Sequence, residues 1–348
     1  MNQSPLAPMG VGKLLDRSFS VYRQHFSAFF LLALIWFGPF LLLQQFMMVD
    51  IGSMPFLVQD SDGSDFWEAL GNRFIGQEEM VTDNIALLVT YLVLVVPLMT
   101  LVGYPQLLSV ATILTQRAIK GEPLQLKDAM KQALSRFWPL VGSTVVYGLI
   151  AIGVMIAFFL LCMLLFFLLA FAVGGAFDPF LLAGKDSNPV FMVLLFIFGY
   201  FAFIIGSILV PGYFLLRWSF YMPVVLFEGN GIGIGESWNL TKGNFWRLLG
   251  LFLVLSLLYS IFSGGVQALI TGTMGMSIVA QLVLVLLSCL LMPWMSIVYA
   301  LAYFDLVVRK EGTDLQFMLS KQATEDSVTP QPQPQPQPQP SESGAPHD

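Results

Sequence analysis

The fold class of this protein follows from one stretch of its sequence, Trp138–Ala176, which reads WPLVGSTVVYGLIAIGVMIAFFLLCMLLFFLLAFAVGGA. This stretch contains no Asp, Glu, Lys, Arg or His. A helix that crosses the hydrocarbon core of a membrane needs about 20 mostly apolar residues and rises about 1.5 Å per residue. The stretch therefore predicts a membrane-spanning helix that tilts, or that extends past one interface, and that ends at Gly174-Gly175.

The composition of the whole chain is also that of a membrane protein. Of its 348 residues, 56% are apolar and 11% are charged, and the mean hydropathy is +0.76. A soluble domain carries about 25% charged residues, which cover its surface. The net charge of −6 provides no cationic field for a polyanion. These values exclude a soluble enzyme, a disordered chain and a nucleic-acid-binding protein.

Six uncharged stretches have the length of a membrane crossing. They are Ala28–Val49, Asn84–Gln116, Trp138–Ala176, Val190–Leu216, Leu248–Ile270 and Ser277–Phe304. The predicted fold is therefore an all-α integral membrane protein with six transmembrane helices, and the lipid bilayer is its first partner.

Three regions divide the chain in this prediction. Residues 1–27 form a cytoplasmic interfacial helix, residues 28–304 form the six-span membrane domain, and residues 305–348 form a cytoplasmic disordered tail. The tail is predicted to be disordered because Pro330–Pro340 alternates proline with glutamine, a composition that cannot bury a core.

The loops between the spans predict the direction of insertion. If the N-terminus is cytoplasmic, 14 of the 16 basic residues lie inside, many of them in loops 117–137 and 217–247. Only Arg73 and Lys185 then lie outside, while the outer loop 50–83 carries eight acidic residues. This asymmetry is the one that the positive-inside rule describes. We expect a multi-pass protein of a bacterial-type plasma membrane with both termini in the cytoplasm.

An internal repeat is visible in three segments, each of which begins with a short polar lead and continues into a span. They read LLDRSFSVYRQHFSAFFLLAL (Leu14–Leu34), LKDAMKQALSRFWPLVGSTVV (Leu126–Val146) and GIGESWNLTKGNFWRLLGLFLVL (Gly233–Leu255). When they are aligned on Phe26, Phe137 and Phe245, the spacings are 111 and 108 residues. Self-similarity at a fixed period indicates repeated structural units. We predict three repeated helical hairpins around a pseudo-threefold axis, each led by an interfacial amphipathic helix; the alternative is that any six-span protein has basic, aromatic interfaces.

The residues that enzymes and metal sites need are scarce in this chain. Its two histidines, His25 and His347, are far apart, and its two cysteines, Cys162 and Cys289, lie in apolar runs. Metal sites need clustered His, Cys or carboxylate ligands, and a nucleophile needs an activating base. We therefore predict a chain that is not an enzyme and that has no catalytic residue, no cofactor and no metal.

Two parts of the sequence resemble a known family. The motifs are Gly12-Lys13-Leu14-Leu15-Asp16-Arg17-Ser18-Phe19, Tyr221-Met222-Pro223, Glu228-Gly229, Glu236-Ser237-Trp238 and Leu240-Thr241-Lys242-Gly243-Asn244-Phe245-Trp246. They resemble the membrane domain of glycerophosphoryl diester phosphodiesterases. In the fused members of that family a separate soluble barrel carries the hydrolysis, and this chain has no room for such a barrel. The resemblance implies a stand-alone membrane module without the family's enzymatic activity.

Three functions remain open at this point. The first is a scaffold or accessory subunit that binds another membrane or peripheral protein, or a second copy of itself, at the inner interface. Its candidate contact residues are Asp16, Arg17, Tyr22, Arg217, Glu228, Glu236, Trp238 and Asp305. The second is a lipid or small-solute conduit, because prolines at positions 97, 105, 211 and 293 interrupt the even-numbered spans. The third is an accessory role in glycerophosphodiester metabolism, which rests only on the resemblance.

Overall fold

The computed structural model describes residues 8–48, 85–174, 189–229, 231–275 and 277–328, and every regular element in these ranges is a helix. The helices are α1 (Val11–Gln24), α2 (Phe26–Trp36), α3 (Gly38–Met48), α4 (residues 85–120), α5 (Leu126–Ser135), α6 (Phe137–Gly174), α7 (Pro189–Trp218), α8 (Tyr221–Phe227), α9 (Ile234–Leu240), α10 (Phe245–Met274) and α11 (Ile278–Val328). The predicted outer loop 50–83, Arg73, Lys185 and the Pro-Gln repeat lie outside the described residues.

Five of these helices are long and apolar enough to cross a membrane, namely α4, α6, α7, α10 and α11. The chain is therefore a helical multi-pass membrane protein, as its apolar runs predict. The predicted first span is not one straight helix, because α2 and α3 meet at a bend of 44° at Phe37. Gly38-Pro39 follows the bend, and the ring of a proline cannot continue the hydrogen bonding of the preceding turn. The pair forms a sixth crossing only if both helices belong to one span.

The prolines have different effects in different helices. Helix α4 contains two π-helical turns, Tyr91–Val95 and Met99–Gly103, in the region of Pro97 and Pro105. In contrast, Pro211 lies inside the continuous helix α7 and Pro293 inside the continuous helix α11. The expectation that proline interrupts every even-numbered span is therefore wrong for these two helices, since helices within a membrane accommodate proline by local adjustment.

The last helix is longer than the sequence predicted. Helix α11 has 51 residues and ends at Val328, so the predicted boundary between the last span and a disordered tail is wrong for residues 305–328. The charged residues that marked this boundary are compatible with a helix. Asp305 and Arg309 are one turn apart and form an ion pair, which supports the helix as it leaves the apolar segment.

The core lies toward the end of the bundle that carries three short helices, α1, α5 and α9. We call these the lead helices, because each one immediately precedes a helix that enters the apolar part of the bundle, namely α2, α6 or α10. Except for Leu108, every residue of 105–115 in α4 is buried, and the same holds for 296–306 in α11 except for Phe304. By contrast, the most apolar window of α6 contains no buried residue. α4 and α11 are thus the two central helices at the lead-helix end. Most of the surface of α6, in contrast, is not covered by the rest of the chain.

Helix α5 packs on α4 through two small residues, Ala129 and Ala133, both of which are 0% exposed. We expect Ala133→Leu to lower the free energy of unfolding by about 1–3 kcal/mol, because a larger side chain forces a tightly packed contact apart. The matched control is Gln132→Leu at the neighbouring exposed position. Unfolding in mixed micelles measures both changes, and equal effects of the two substitutions would contradict close packing at Ala133.

Candidate functional site

A buried carboxylate organises the lead-helix end of the bundle. Asp305, on α11, is 1% exposed. Its Oδ1 accepts a hydrogen bond from the main-chain N–H of Met9 at 2.7 Å, and its Oδ2 accepts one from Arg309 Nε at 2.9 Å. Arg247, at the start of α10, forms an ion pair with the same Oδ2. One carboxylate thus joins the N-terminal segment to the ends of two long helices.

The two arginines that hold Asp305 also hold the main chain of Met9. The Met9 carbonyl accepts hydrogen bonds from Arg247 Nη2 at 2.9 Å and from Arg309 Nη2 at 3.0 Å. The N–H and the C=O of a single residue are therefore both bound, one by the anion and the other by the cations. We call Asp305, Arg247 and Arg309 the Met9 clamp.

The charges of the Met9 clamp do not balance. Two guanidinium groups face one carboxylate, and Nε and Nη1 of Arg247 are buried without a hydrogen-bond partner. A third guanidinium is close, since Arg17 Nη1 lies 3.9 Å from Met9 Sδ. The side chains of Arg247 and Arg309 keep 22% and 30% exposure, so water screens part of this excess.

A buried cation at the same end of the bundle is held by aromatic groups. Arg217, at the end of α7, is 8% exposed and lies 3.6 Å above the centre of the Trp238 ring. Its Nη1 donates to Tyr213 Oη at 2.8 Å, and its Nη2 donates to the carbonyl of Trp238 at 2.9 Å. Within the described ranges no carboxylate lies in ion-pair distance of Arg217. A cation stacked on tryptophan and hydrogen-bonded to neutral groups is stabilised without a counter-ion.

The main-chain carbonyl of Arg217 accepts hydrogen bonds from side chains at α9, and these bonds attach α9 to the end of α7. Ser237 Oγ donates to this carbonyl at 2.9 Å and Thr241 Oγ1 at 3.2 Å. Ser237 Oγ also accepts a hydrogen bond from the N–H of Phe220 at 3.1 Å. These bonds satisfy main-chain groups where α7 ends.

Helix α1 attaches to α11 in a comparable way. Tyr22 Oη donates to the carbonyl of Leu290 at 2.6 Å, and Trp294 Nε1 donates to Ser18 Oγ at 3.1 Å. Burial raises the pKa of Tyr22 to about 12, because the apolar surroundings disfavour the phenolate. The hydroxyl therefore stays a donor throughout the physiological range of pH.

The eight candidate contact residues fall into two groups. Tyr22, Arg217 and Asp305 are buried, and their polar groups bond within the chain. The others are exposed or half-buried: Asp16, Arg17, Glu228, Glu236 and Trp238. Of the exposed acids, Glu236 forms an ion pair with Lys310 at 3.8 Å, a surface pair of the kind that contributes about 1 kcal/mol or less.

Arg247, Arg309 and Met9 also belong to the site, although they were not among its predicted residues. The spacing of Asp305 and Arg309 was a signal for the first contact, since residues four apart lie on the same face of a helix. Nothing in the sequence pointed to Met9, which is 296 residues from Asp305 and takes part through its main chain.

A third polar cluster lies within the apolar part of α4. Gln106 is 0% exposed, and neither its Nε2 nor its Oε1 has a hydrogen-bond partner. Ser109, one turn along the same helix, is 1% exposed and its Oγ also lacks a partner. Among the residues that the structure describes, no group of three or more His, Cys, Asp or Glu side chains is placed to hold a metal ion.

These features define a helical multi-pass membrane protein whose ion pairs and buried Arg217 lie at one end of the bundle. The chain belongs to the family described as a domain of unknown function (DUF7847), whose model matches residues 74–307, about two thirds of the chain. The matched range contains Arg217, Arg247 and Asp305, whereas Met9 lies before it. Comparisons with curated proteins and with solved structures found no match.

Proposed function

We propose that the chain is a non-catalytic membrane module that has six spans and cytoplasmic termini and binds another membrane or peripheral protein at its lead-helix end. The observation that carries this proposal is the uneven distribution of ordered polar groups. Among the described residues, the three ion pairs lie at this end, and so does Arg217 with its aromatic neighbours. These contacts fix the positions of side chains at this surface, which suits recognition of a partner.

Burial at equivalent positions supports three repeated hairpins. When the chain is aligned on Phe26, Phe137 and Phe245, positions eight before, three after and six after these residues are buried in every repeat. They are Ser18, Ala129 and Ser237, then Phe29, Leu140 and Leu248, then Leu32, Ser143 and Leu251, all between 0% and 2% exposed. A shared burial pattern is expected when each lead and each following helix packs in the same way.

The packing of the lead helices also supports a threefold arrangement. Helix α5 packs on α4 and α9 packs on α7, so each packs on the long helix of the preceding hairpin. Helix α1 lies before the first of the three hairpins and packs on α11, the long helix of the third. The order of contacts is therefore cyclic, as a closed ring of three units requires.

Five of the eight candidate residues remain accessible for contact with a partner: Asp16, Glu228, Glu236 and the half-buried Arg17 and Trp238. The three buried candidate residues contribute indirectly, because they hold α1 and α9 in place; they are Tyr22, Arg217 and Asp305. A partner with basic side chains complements the three exposed carboxylates. A second copy of the chain, meeting the exposed apolar surface of α6, is the other form of association that we propose.

A conduit is the second candidate function, and one observation favours it. The unpartnered amide of Gln106 and hydroxyl of Ser109 would be satisfied by a polar solute or water that enters the bundle. An open groove of about 370 Å³, lined by Leu34, Pro39, Leu282 and other residues, is apolar and suits a lipid chain rather than a solute. An accessory role in glycerophosphodiester metabolism stays a third proposal, supported by the resemblance of the motifs alone.

Binding to a partner is tested by charge reversal on the accessible surface. We expect the chain with Glu228→Lys and Glu236→Lys, purified in mild detergent, to lose a co-purifying protein that the parent chain retains, because both changes reverse the charge that would attract it. The matched control is Glu122→Lys, which reverses an exposed charge on another loop at the same end. Recovery of the chain alone from parent and variants, under conditions that preserve known membrane complexes, would count against the proposal.

The direction of insertion is tested by labelling introduced cysteines in a chain that lacks Cys162 and Cys289. We expect an impermeant maleimide to label Thr273→Cys in intact cells, and Glu122→Cys only after permeabilisation. Thr273 lies near the end of α10 that points away from the lead helices, and Glu122 lies between α4 and α5. The reverse pattern would contradict cytoplasmic termini.

A further inference from the structure

The way α1 is held differs from the way the other two lead helices are held. Residues 121–125 connect α4 to α5, and helix α8 with residues 228–233 connects α7 to α9. These two lead helices therefore follow directly in sequence from the long helix on which they pack. No such connection joins α1 to α11, since Met9 and Asp305 are 296 residues apart. The ring of contacts among the three units thus has one junction, between α1 and α11, that is held by non-covalent contacts alone.

The contacts between α1 and α11 follow one another along the length of both helices. Met9 meets Asp305, Ser18 meets Trp294, and Tyr22 meets Leu290, so α1 runs antiparallel to α11. Leu14, between the first two contacts, is 0% exposed. The surface of α11 that α1 covers thus accommodates one helix. At the lead-helix end of this surface, the main chain of Met9, which lies just before α1, is bound.

The docked segment joins the membrane bundle through one residue, His25. His25 is a single non-helical residue between α1 and α2, and α2 continues into the apolar part of the bundle. At the other end of the segment, the hydrogen bonds to Met9 hold it against α10 and α11 and so close the ring of contacts. A change in the backbone at His25 can therefore swing α1 without moving α2, as hinges at the ends of helices do.

Release of the segment leaves no buried charge without a partner. When Met9 departs, Asp305 keeps both Arg247 and Arg309. The bonds that break are those of Met9 with Asp305 and the two guanidinium groups, that of Tyr22 with the Leu290 carbonyl and that of Trp294 with Ser18, and the buried Leu14 becomes exposed. The side chains of Arg247 and Arg309 are already 22% and 30% exposed, so water replaces their bonds to Met9, and release separates no buried ion pair.

We propose that the lead-helix ends of α10 and α11 form a docking site for an N-terminal helix, and that residues 8–24 occupy this site as a releasable segment. The segment leaves and returns as a unit while the rest of the bundle stays folded. Native proteins open locally in contiguous units of structure, at free energies that range up to that of global unfolding. The proposal concerns the chain's own segment and does not depend on the proposed partner.

The test uses the reactivity of two thiols in the full-length chain in lipid. One thiol is introduced by Ser18→Cys, a nearly isosteric change at a 0% exposed position of α1, and the other is Cys289, 0% exposed in α11. Cys162 is replaced by Ser. N-ethylmaleimide is added, and mass spectrometry follows modification of each thiol. The change tested is Met9→Pro, which removes the N–H that Asp305 binds, and the matched control is Met9→Leu, which keeps the N–H and the volume.

We expect Met9→Pro to increase the rate at the introduced thiol about tenfold or more, because one hydrogen bond to a charged group is lost. The rate at Cys289 stays as in the parent chain, and Met9→Leu changes neither rate by more than about twofold. Equal acceleration at both thiols would mean that the whole bundle opens, and this would overturn the proposal. Unchanged rates in Met9→Pro would overturn it as well, because the clamp would then not hold the segment.

Discussion

Substitution of Asp305 by alanine is expected to lower the free energy of unfolding by about 3 kcal/mol. The change removes the acceptor for Met9, Arg247 and Arg309 at once and leaves two guanidinium groups side by side. Breaking a buried ion pair by removal of one partner costs about 3–5 kcal/mol, and the lower value applies because both arginines are partly exposed. Unfolding of the purified protein in mixed micelles, followed by tryptophan fluorescence, measures the loss.

The control for this prediction is Glu236→Ala, which removes the carboxylate of the exposed pair with Lys310. Its effect is expected to be below about 1 kcal/mol. A double variant, Asp305→Ala with Arg247→Met, should recover part of the loss, since one unpaired charge is removed with its partner. Equal effects of Asp305→Ala and Glu236→Ala would show that the buried carboxylate does not hold this end of the bundle together.

The second large effect is expected from Arg217→Lys, a change that keeps the charge. Lysine lacks the planar group that stacks on Trp238 at 3.6 Å and cannot donate to Tyr213 and to the Trp238 carbonyl in the same geometry. We expect a loss of about 2 kcal/mol in the free energy of unfolding, from one cation–π contact and one hydrogen bond. Faster proteolysis within α9 should accompany the loss, because Arg217 fixes that helix.

Arg117→Lys is the matched control for Arg217→Lys. Arg117 makes a single, partly exposed hydrogen bond of 3.3 Å to the carbonyl of Gln125, so the same substitution should have little effect there. If both variants are as stable as the parent chain, the shape of the guanidinium at position 217 does not contribute to stability. That result would contradict the role assigned to the stack on Trp238.

The starts of three helices show how far local sequence patterns reach. Phe26, Phe137 and Phe245, on which the repeat was aligned, are the first residues of α2, α6 and α10. A short polar lead followed by an aromatic residue and a long apolar run is a local signal. The residue types in each part indicate whether that part lies at the membrane interface or in the hydrocarbon core. The same reasoning misplaced the end of α11, since charged residues after Phe304 were read as the end of regular structure while the helix continues to Val328.

The site was predictable only in part. Asp305 and Arg217 were candidate residues because they stand next to apolar runs, but their sequence positions do not reveal that both are buried and bonded within the chain. The stack of Arg217 on Trp238 joins residues that are 21 apart, across a turn whose geometry depends on Ser237. The bend at Phe37 was missed because Gly38-Pro39 lies within an otherwise uniform apolar run.

Composition and periodicity alone determined that this is a helical, multi-pass membrane protein, because a helix is the local way to satisfy main-chain groups in a run of apolar residues within lipid. They also determined where most of the long helices begin. Only the tertiary structure decided which charges meet. Met9, Arg247 and Asp305 come together through the docking of α1 on α11, and contacts between residues so far apart in sequence depend on the packing of every helix between them.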